Sequence, residues 1–552
     1  MTRQIFPRSR QAALILVTAL LAWQIALHAQ GTAAVLETKV DAAFSTWTAS
    51  TPGCAVGVSV TGKIVLQKAY GMADLEHDVR NTSDTIFEAG SVSKQFTAAA
   101  ILLLAREGKL SLDDPTRKYI PELPDYGIPL TIRHMLEHTS GLRDWGSVEG
   151  IVGWPRTSRV YTHAHVLDIV SRQSRLNFQP GTRWSYSNTG YNLAAIIVSR
   201  VSGEPFAEFT RKRIFEPLGM TSTSWRDDFA RIVKGRAIAY TETGGTFRTN
   251  LPFENVHGNG GLLTTVGDLL RWNENFVEPK VGDASFVREA QTPGRLSNGQ
   301  EHDYGFGLFI GQYKGLREVN HGGVTAGYRA FLARYPDQHV SVAVLCNVGS
   351  GAAEQYARAM TDLYLGTRLK PVPTPTPVAV ATGDLDAVAG LYRNPERGDA
   401  IPIGRDGTTL RLGNGPRLIA LSPLRFTLGE GLVIEFDGRG SGRVALGNGT
   451  SGALERVPAV QPTPAELSVL AGTYTSDDAE VSVKVVVHDG FLELTRRPDS
   501  TIRLTPLYAD AFSGPLGTVI FRRDGAGRPV EFSVVQDRVW DLRFRRQPGA
   551  TQ

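Results

Sequence analysis

Two proline-rich stretches set the architecture open to this chain. "KPVPTPTPVAV" (Lys370 to Val380) and "VPAVQPTPAE" (Val457 to Glu466) read as extended, polyproline-like linkers. They fall in a chain of 552 residues, too long for one hydrophobic core. The division that follows is a large block over 30–368, a linker over 369–383, a short block over 384–456, a linker over 457–466, and a second short block over 467–547.

The two short blocks echo one another. "LDAVAGLY" (Leu385 to Tyr392) opens the first and "LSVLAGTY" (Leu467 to Tyr474) the second. "LSPLRF" is matched by "LTPLYADAF", and both blocks carry short alternating runs joined by Asp-Gly turns. That pattern predicts hairpin-rich β structure, a small up-and-down sheet or barrel in each block.

The large block begins with two β runs around Thr61-Gly62, "GCAVGVSVTGKIVLQKAYG". A helical region follows, in which "AEFTRKRIFEPLGM" and "GDLLRWNENFV" space their apolar residues by three and four. Strands return in "YGFGLFIG", "YRAFLARYP" and "VSVAVLCNV", and "GAAEQYARAMTDLYLG" closes the block as a helix. Strands at both ends of a helical middle predict an α+β fold: one sheet assembled from distant segments, a helical insertion, and a cleft between them.

Residues 1–29 read as an export signal. Arg3, Arg8 and Arg10 precede the apolar run Ala12 to Leu27, small residues follow near Ala29, and no cysteine offers a lipid anchor. The expected location is periplasmic or secreted, with no membrane association once the signal is removed. Net charge is +4, of which those three arginines supply +3. The near-neutral remainder gives no reason to expect a nucleic-acid partner. Cys54 and Cys346 belong to no metal or redox motif. An oxidising compartment would permit a bridge; two buried free thiols are the expectation.

Chemistry concentrates in three short motifs. Ser91-Val92-Ser93-Lys94 is the one Ser-x-x-Lys in the chain, at the head of an apolar helix. A helix start offers unpaired N–H groups to an oxyanion, and a lysine one turn on can take the serine proton once its pKa is lowered. Alone, the motif reads by default as a capping serine and a surface lysine. Tyr186-Ser187-Asn188 brings a phenol, as phenolate base or neutral relay, and an amide that can donate to a substrate carbonyl. His321-Gly322-Gly323 precedes a strand, where Gly323 lets backbone approach and Val324 N–H can serve as second oxyanion donor. The remaining histidines carry blander readings: His163 and His165 at a helix start, His138 in a structural turn, His257 near the cleft. Trp184 reads as packing. No metal or cofactor is expected.

In this order the motifs resemble those of the penicillin-recognising serine hydrolases, in the branch of class C β-lactamases, D-alanyl-D-alanine carboxypeptidases, D-aminopeptidases and related esterases. "MLEHTSGL", "FQPGTRWSYSNTGY", "IFEPLGMTST" and "GNGGLLTTVGDLLRW" add to a likeness running from about Leu36 to Leu365. The resemblance implies the β-lactamase/transpeptidase-like fold followed by two all-β barrel-like domains. It further implies catalysis by Ser91, Lys94 and Tyr186, with Asn188, His321, Gly323 and Val324 at the substrate. The substrate would be a peptide or small molecule with an amide, ester or β-lactam bond. Lys followed by Thr or Ser is common at the third motif; here His321 and Gly322 stand there, so a titratable imidazole replaces an ammonium and a carboxylate-binding hydroxyl is missing. That departure counts against efficient β-lactam hydrolysis and carboxypeptidase action on a free C-terminus, and resembles D-aminopeptidases and some esterases; the D-aminopeptidase layout also has two C-terminal barrels, one contributing to the substrate site. The leading expectation is a D-aminopeptidase or D-Ala peptide hydrolase, with a class C-like β-lactamase or carboxylesterase as the alternative. An inactive binding protein is the non-enzyme alternative. The oligomeric state is left open.

Overall fold

The computed structural model describes residues 35–548, apart from 157, 372–374, 430 and 447–450. The segment read as an export signal lies outside the described residues. A six-stranded antiparallel sheet is built from β1 (Cys54–Val60), β2 (Lys63–Tyr70), β3 (Phe309–Tyr313), β4 (Leu316–Thr325), β5 (Tyr328–Tyr335) and β6 (Val340–Cys346). The order is β3-β4-β5-β6-β1-β2, so the first and last strands in sequence meet at its centre. Every residue of β6 and all but the last of β1 are buried, which is why both read as continuous apolar runs rather than alternating ones. The β1–β2 turn is made by Thr61 and Gly62, both at positive φ (48° and 75°), the geometry a two-residue hairpin needs.

Helices cover both faces. On one side lie α1 (Lys94–Arg106), α2 (Asn188–Ser202), α3 (Val266–Glu274) and α4 (Ala284–Ala290). On the other, α5 (Ala353–Leu365) sets Ala357 and Met360 against Val56 and Val58. Residues Lys94 to Leu104 of α1 are all buried, as an apolar-all-round helix must be.

Two expectations need correction. Cys54 and Cys346 are not free thiols: they face each other in the β1–β6 register and form a disulfide, Cα to Cα 4.0 Å. Their 292-residue separation hid a register that only the folded sheet creates. The strand expected over "YGFGLFIG" starts only at Phe309, because Gly307, at φ +74°, turns the chain onto the backbone of Lys94 and Gln95.

Both proline-rich stretches end in helices, Thr382–Val388 and Pro464–Leu470; the latter is capped by Thr463 with Pro464 in its first turn. The strands from Gly390 to Val457 make one eight-stranded antiparallel sheet, open between Thr409–Leu412 and Ile419–Ser422 apart from a bridge of Arg411 to Arg417. The strands from Gly472 to Arg546 close into an eight-stranded barrel ending in β7 (Pro529–Gln536) and β8 (Val539–Arg546). The repeat is physical: Leu385 and Leu467 are both buried, and Tyr392 donates to Val388 O (2.9 Å) as Tyr474 does to Leu470 O (2.8 Å).

Candidate active site

Ser91 lies in a single 3-10 turn, Gly90–Ser93, that runs into α1. The turn is pressed against β4. A Cβ on Gly90 (φ +51°) would sit 2.7 Å from Val324 N, and one on Gly323 only 2.0 Å from Ala89 O. Both glycines are therefore needed for β4 to bring its Val324 amide beside the serine. At Gly322, by contrast, an added Cβ would meet nothing closer than 3.8 Å. Packing does not enforce the missing hydroxyl. Thr325 does not line the cavity and so does not replace it.

Lys94 is fully buried, with no carboxylate in ion-pair reach among the described residues. Its Nζ donates to Asn188 Oδ1 (2.9 Å) and Asn259 O (2.8 Å), which use both N–H groups of a neutral amine and leave its lone pair to accept from Ser91 Oγ–H at 3.1 Å. Burial pushes its pKa well down, the Arg538 and Arg156 guanidiniums push the same way, and Asp144 opposes them. A neutral amine beside the serine hydroxyl is the arrangement a general base requires.

Tyr186 lies under that amine, Nζ 4.7 Å from its ring centre, and lines the same cavity as Ser91. Burial raises the phenol's pKa, more than Ser91 and Arg538 lower it. Of the two roles open to it, neutral relay and phenolate base, the first fits. Asn188 starts α2: its N–H donates to Asp144 Oδ2 (2.8 Å), and Oδ1 is held by Lys94.

His321 departs from expectation. The ring is buried, Nε2 3.0 Å from the Tyr304 hydroxyl and Nδ1 2.6 Å from Gly322 O. The contacts match a neutral imidazole that donates from Nδ1 and accepts at Nε2. Burial, the largest cause, lowers its pKa to about 3. It is thus not a titratable substitute for an ammonium near neutral pH; it is a wall of the cavity with both nitrogens engaged.

Ser91, Lys94, Tyr186, Asn188, His321, Gly323 and Val324 are thus brought together. All but Lys94 line a cavity of about 1020 Å³, as does Trp184. His138 stands behind it: at φ +59°, it accepts from Ser187 N–H (3.2 Å) and lies 4.2 Å from the Tyr186 ring, holding that turn. His257 stacks on His163 away from the cavity, and His165 caps its own helix.

Sequence reasoning did not find the residues that join the site from afar. Asp144, Arg156 and Asn259 carry no motif. Most distant are Asp537 and Arg538, in the β7–β8 turn of the barrel, which line the same cavity. The Arg538 guanidinium lies 4.8 Å from the Tyr186 ring centre, and its carbonyl accepts from Asn177 Nδ2 (3.0 Å). Trp540 N–H donates to Asn177 Oδ1 (3.0 Å), and buried Arg143 pairs with Asp478 (2.6 Å) and donates to Asp541 O. A family-level hint existed, in the barrel contribution implied by the resemblance; the residues themselves had none.

The Beta-lactamase family model matches residues 34–365, more than half of the chain. Penicillin-binding protein 4* of Bacillus subtilis is 30% identical over 309 residues, covering 52% of this chain and 66% of its own length. The D-aminopeptidase of Brucella canis is 27% identical over 503 residues, 86% of this chain and 92% of its own, so that likeness extends past the hydrolase block into the β modules. Among solved structures, the octameric penicillin-binding protein homologue from Pyrococcus abyssi matches 76% of this chain and 99% of its own (TM-score 0.55, 25% identity). The D-amino acid amidase of Ochrobactrum anthropi shares the fold over 60% of this chain and 99% of its own (TM-score 0.52, 21% identity). With a buried lysine on the serine and a strand amide beside it, the chain belongs to the Beta-lactamase family and is a penicillin-recognising serine hydrolase.

Proposed function

We propose that the protein is an exported hydrolase that cleaves amide bonds of small D-amino-acid peptides through an acyl-enzyme on Ser91. The observation that carries this reading is Lys94: fully buried, depressed in pKa, and hydrogen-bonded to the serine it would activate. Ser91 Oγ attacks the carbonyl carbon as its proton passes to Lys94 Nζ. The N–H groups of Ser91 and Val324 take the oxyanion. Tyr186, neutral and beside both groups, relays the proton from Lys94 to the leaving nitrogen, the C–N bond breaks, and water hydrolyses the ester by the reverse path. Asn188 positions the acyl carbonyl.

The preference for D-residue amides rests on the likeness to the Brucella D-aminopeptidase over most of both chains and on Gly322, which leaves the third motif without a carboxylate-binding hydroxyl. Export rests on the sequence of residues 1–29, and the Cys54–Cys346 bond suits an oxidising compartment. A panel of D-Ala-p-nitroanilide, L-Ala-p-nitroanilide, a D-Ala-D-Ala peptide, p-nitrophenyl esters and nitrocefin tests the reading. D-Ala-p-nitroanilide is expected to be cleaved well ahead of its L form. Rapid nitrocefin turnover with no cleavage of either D-Ala substrate contradicts it.

A further inference from the structure

A second polar site lies at the other end of the central sheet. Arg334 is in β5, five residues along from Arg329, which pairs with Val324 at the active-site end; that is about 17 Å along the strand. Its side chain is 3% exposed, with the guanidinium carbon 3.6 Å from the Phe276 ring centre. One nitrogen makes a long contact, 3.4 Å, to Asn273 Oδ1; Nε and Nη2 have no partner. Among the described residues no carboxylate is within ion-pair distance of it.

Arg334 opens on a cavity of about 440 Å³ whose rim carries Arg288 of α4, Arg317 of β4 and His339, all exposed. Among the described residues neither Arg288 nor Arg317 has a carboxylate within ion-pair distance, and no acid lines the cavity. Of the acids next to lining residues, Glu289 is committed to Arg106 and Glu318 to Arg358 and Tyr335, while Glu278 and Asp337 lie outside the lining. A guanidinium does not readily neutralise itself, so a buried unpaired one is costly unless an anion meets it. Arg317 worsens that cost, acting with burial to lower the Arg334 pKa.

We propose that this cavity is an anion site for a phosphate group, with Arg334 at its base and Arg288 and Arg317 at its rim. Three guanidiniums with no competing carboxylate suit a small oxyanion with more than one negative charge better than a monocarboxylate. The bearer is a soluble phosphate or a phospholipid headgroup. The site does not rest on the reaction proposed at Ser91.

The test is thermal unfolding of the full chain during titration with inorganic phosphate at constant ionic strength, chloride replacing it. Saturable upward movement of Tm is expected for the wild type. Arg334→Met is expected to abolish the saturable response, yet to unfold no lower than wild type in phosphate-free buffer, since it removes an uncompensated buried charge. Arg317→Gln, a surface change that leaves the fold alone, is expected to weaken binding about tenfold. Ser91 acylation should be the same in all three. Glycerol phosphate and vesicles containing phosphatidylglycerol separate the bearers: competition by the first assigns a soluble phosphate, sedimentation with the second that is lost in Arg334→Met assigns a headgroup. The proposal is overturned if phosphate leaves the wild-type Tm unmoved, or if Arg334→Met keeps the saturable response.

Discussion

The two C-terminal β modules begin with the same sequence pattern and the same internal contacts, yet they stand in different relations to the active site. The second is fastened by buried groups: Arg143 to Asp478 and Asp541 O, and Gln173 Nε2 to Asp478 O (2.8 Å); Arg496 adds contacts to the carbonyls of Gly150 and Ile151. Its apolar interior is continuous with that of the hydrolase block, Leu467 and Phe544 belonging to the same cluster as Phe96 and Trp145. The first keeps a separate core around Leu385, Tyr392 and Phe426, and its ion pair to the hydrolase block, Arg183 to Glu396 at 3.3 Å, is about half exposed on both sides. A repeated sequence specifies a repeated fold; it does not specify where each copy docks.

That contrast can be broken in several places. The largest effect is expected from Arg143→Met, which strips the partner from Asp478 and frees the hairpin: about 3–5 kcal/mol of stability, as for a broken buried pair, with a large loss of activity. Arg183→Ala, the matching change at the first module, should shift stability by under about 1 kcal/mol and leave activity alone. Calorimetry with an amidase assay checks both.

Next is Arg538→Gln. Arg538 helps hold the Lys94 pKa down, so removing it raises that pKa, and the acid limb of the acylation profile moves to higher pH. Activity rises with pH as Lys94 loses its proton, and the variant needs a higher pH to reach the same fraction. Arg397→Gln, a first-module change beside the Trp540 ring, should leave the limb in place. Since burial keeps His321 neutral, no limb from its ionisation is expected near neutral pH in either profile.

The smallest effects come from the matched tyrosines. Tyr474→Phe and Tyr392→Phe should each cost about 1 kcal/mol, one hydrogen bond. Tyr474→Phe should lower the temperature at which activity is lost, through the shared core; Tyr392→Phe should not. Separately, Gly322→Thr has room for its Cβ and should improve acylation by substrates with a carboxylate beside the scissile bond.

Much of this was legible in the chain. The strands at both ends, the Thr61-Gly62 turn and the repeated opening of the modules follow from local pattern, and Ser91 and Asn188 sit at helix starts that the pattern also marks. His321-Gly322-Gly323, read as preceding a strand, instead lies within β4, whose start at Leu316 the local pattern did not mark. What was not legible depends on long-range register. Cys54 and Cys346 meet only when β1 pairs with β6. Arg538 reaches Tyr186 only when the second barrel docks, and Arg334 is unpaired only once β5 is packed against α3. The state of His321 likewise depends on Tyr304 and on burial, neither of which its own motif contains.

The central claim is that Lys94, neutral in the folded enzyme, activates Ser91. Intact-mass measurement of the rate of fluorophosphonate labelling, wild type against Lys94→Ala and Ser91→Ala, tests it most directly. The account predicts one adduct on Ser91, none in Ser91→Ala, and labelling slowed about a hundredfold or more in Lys94→Ala, as for a lost general base. Labelling of Lys94→Ala at the wild-type rate would contradict it.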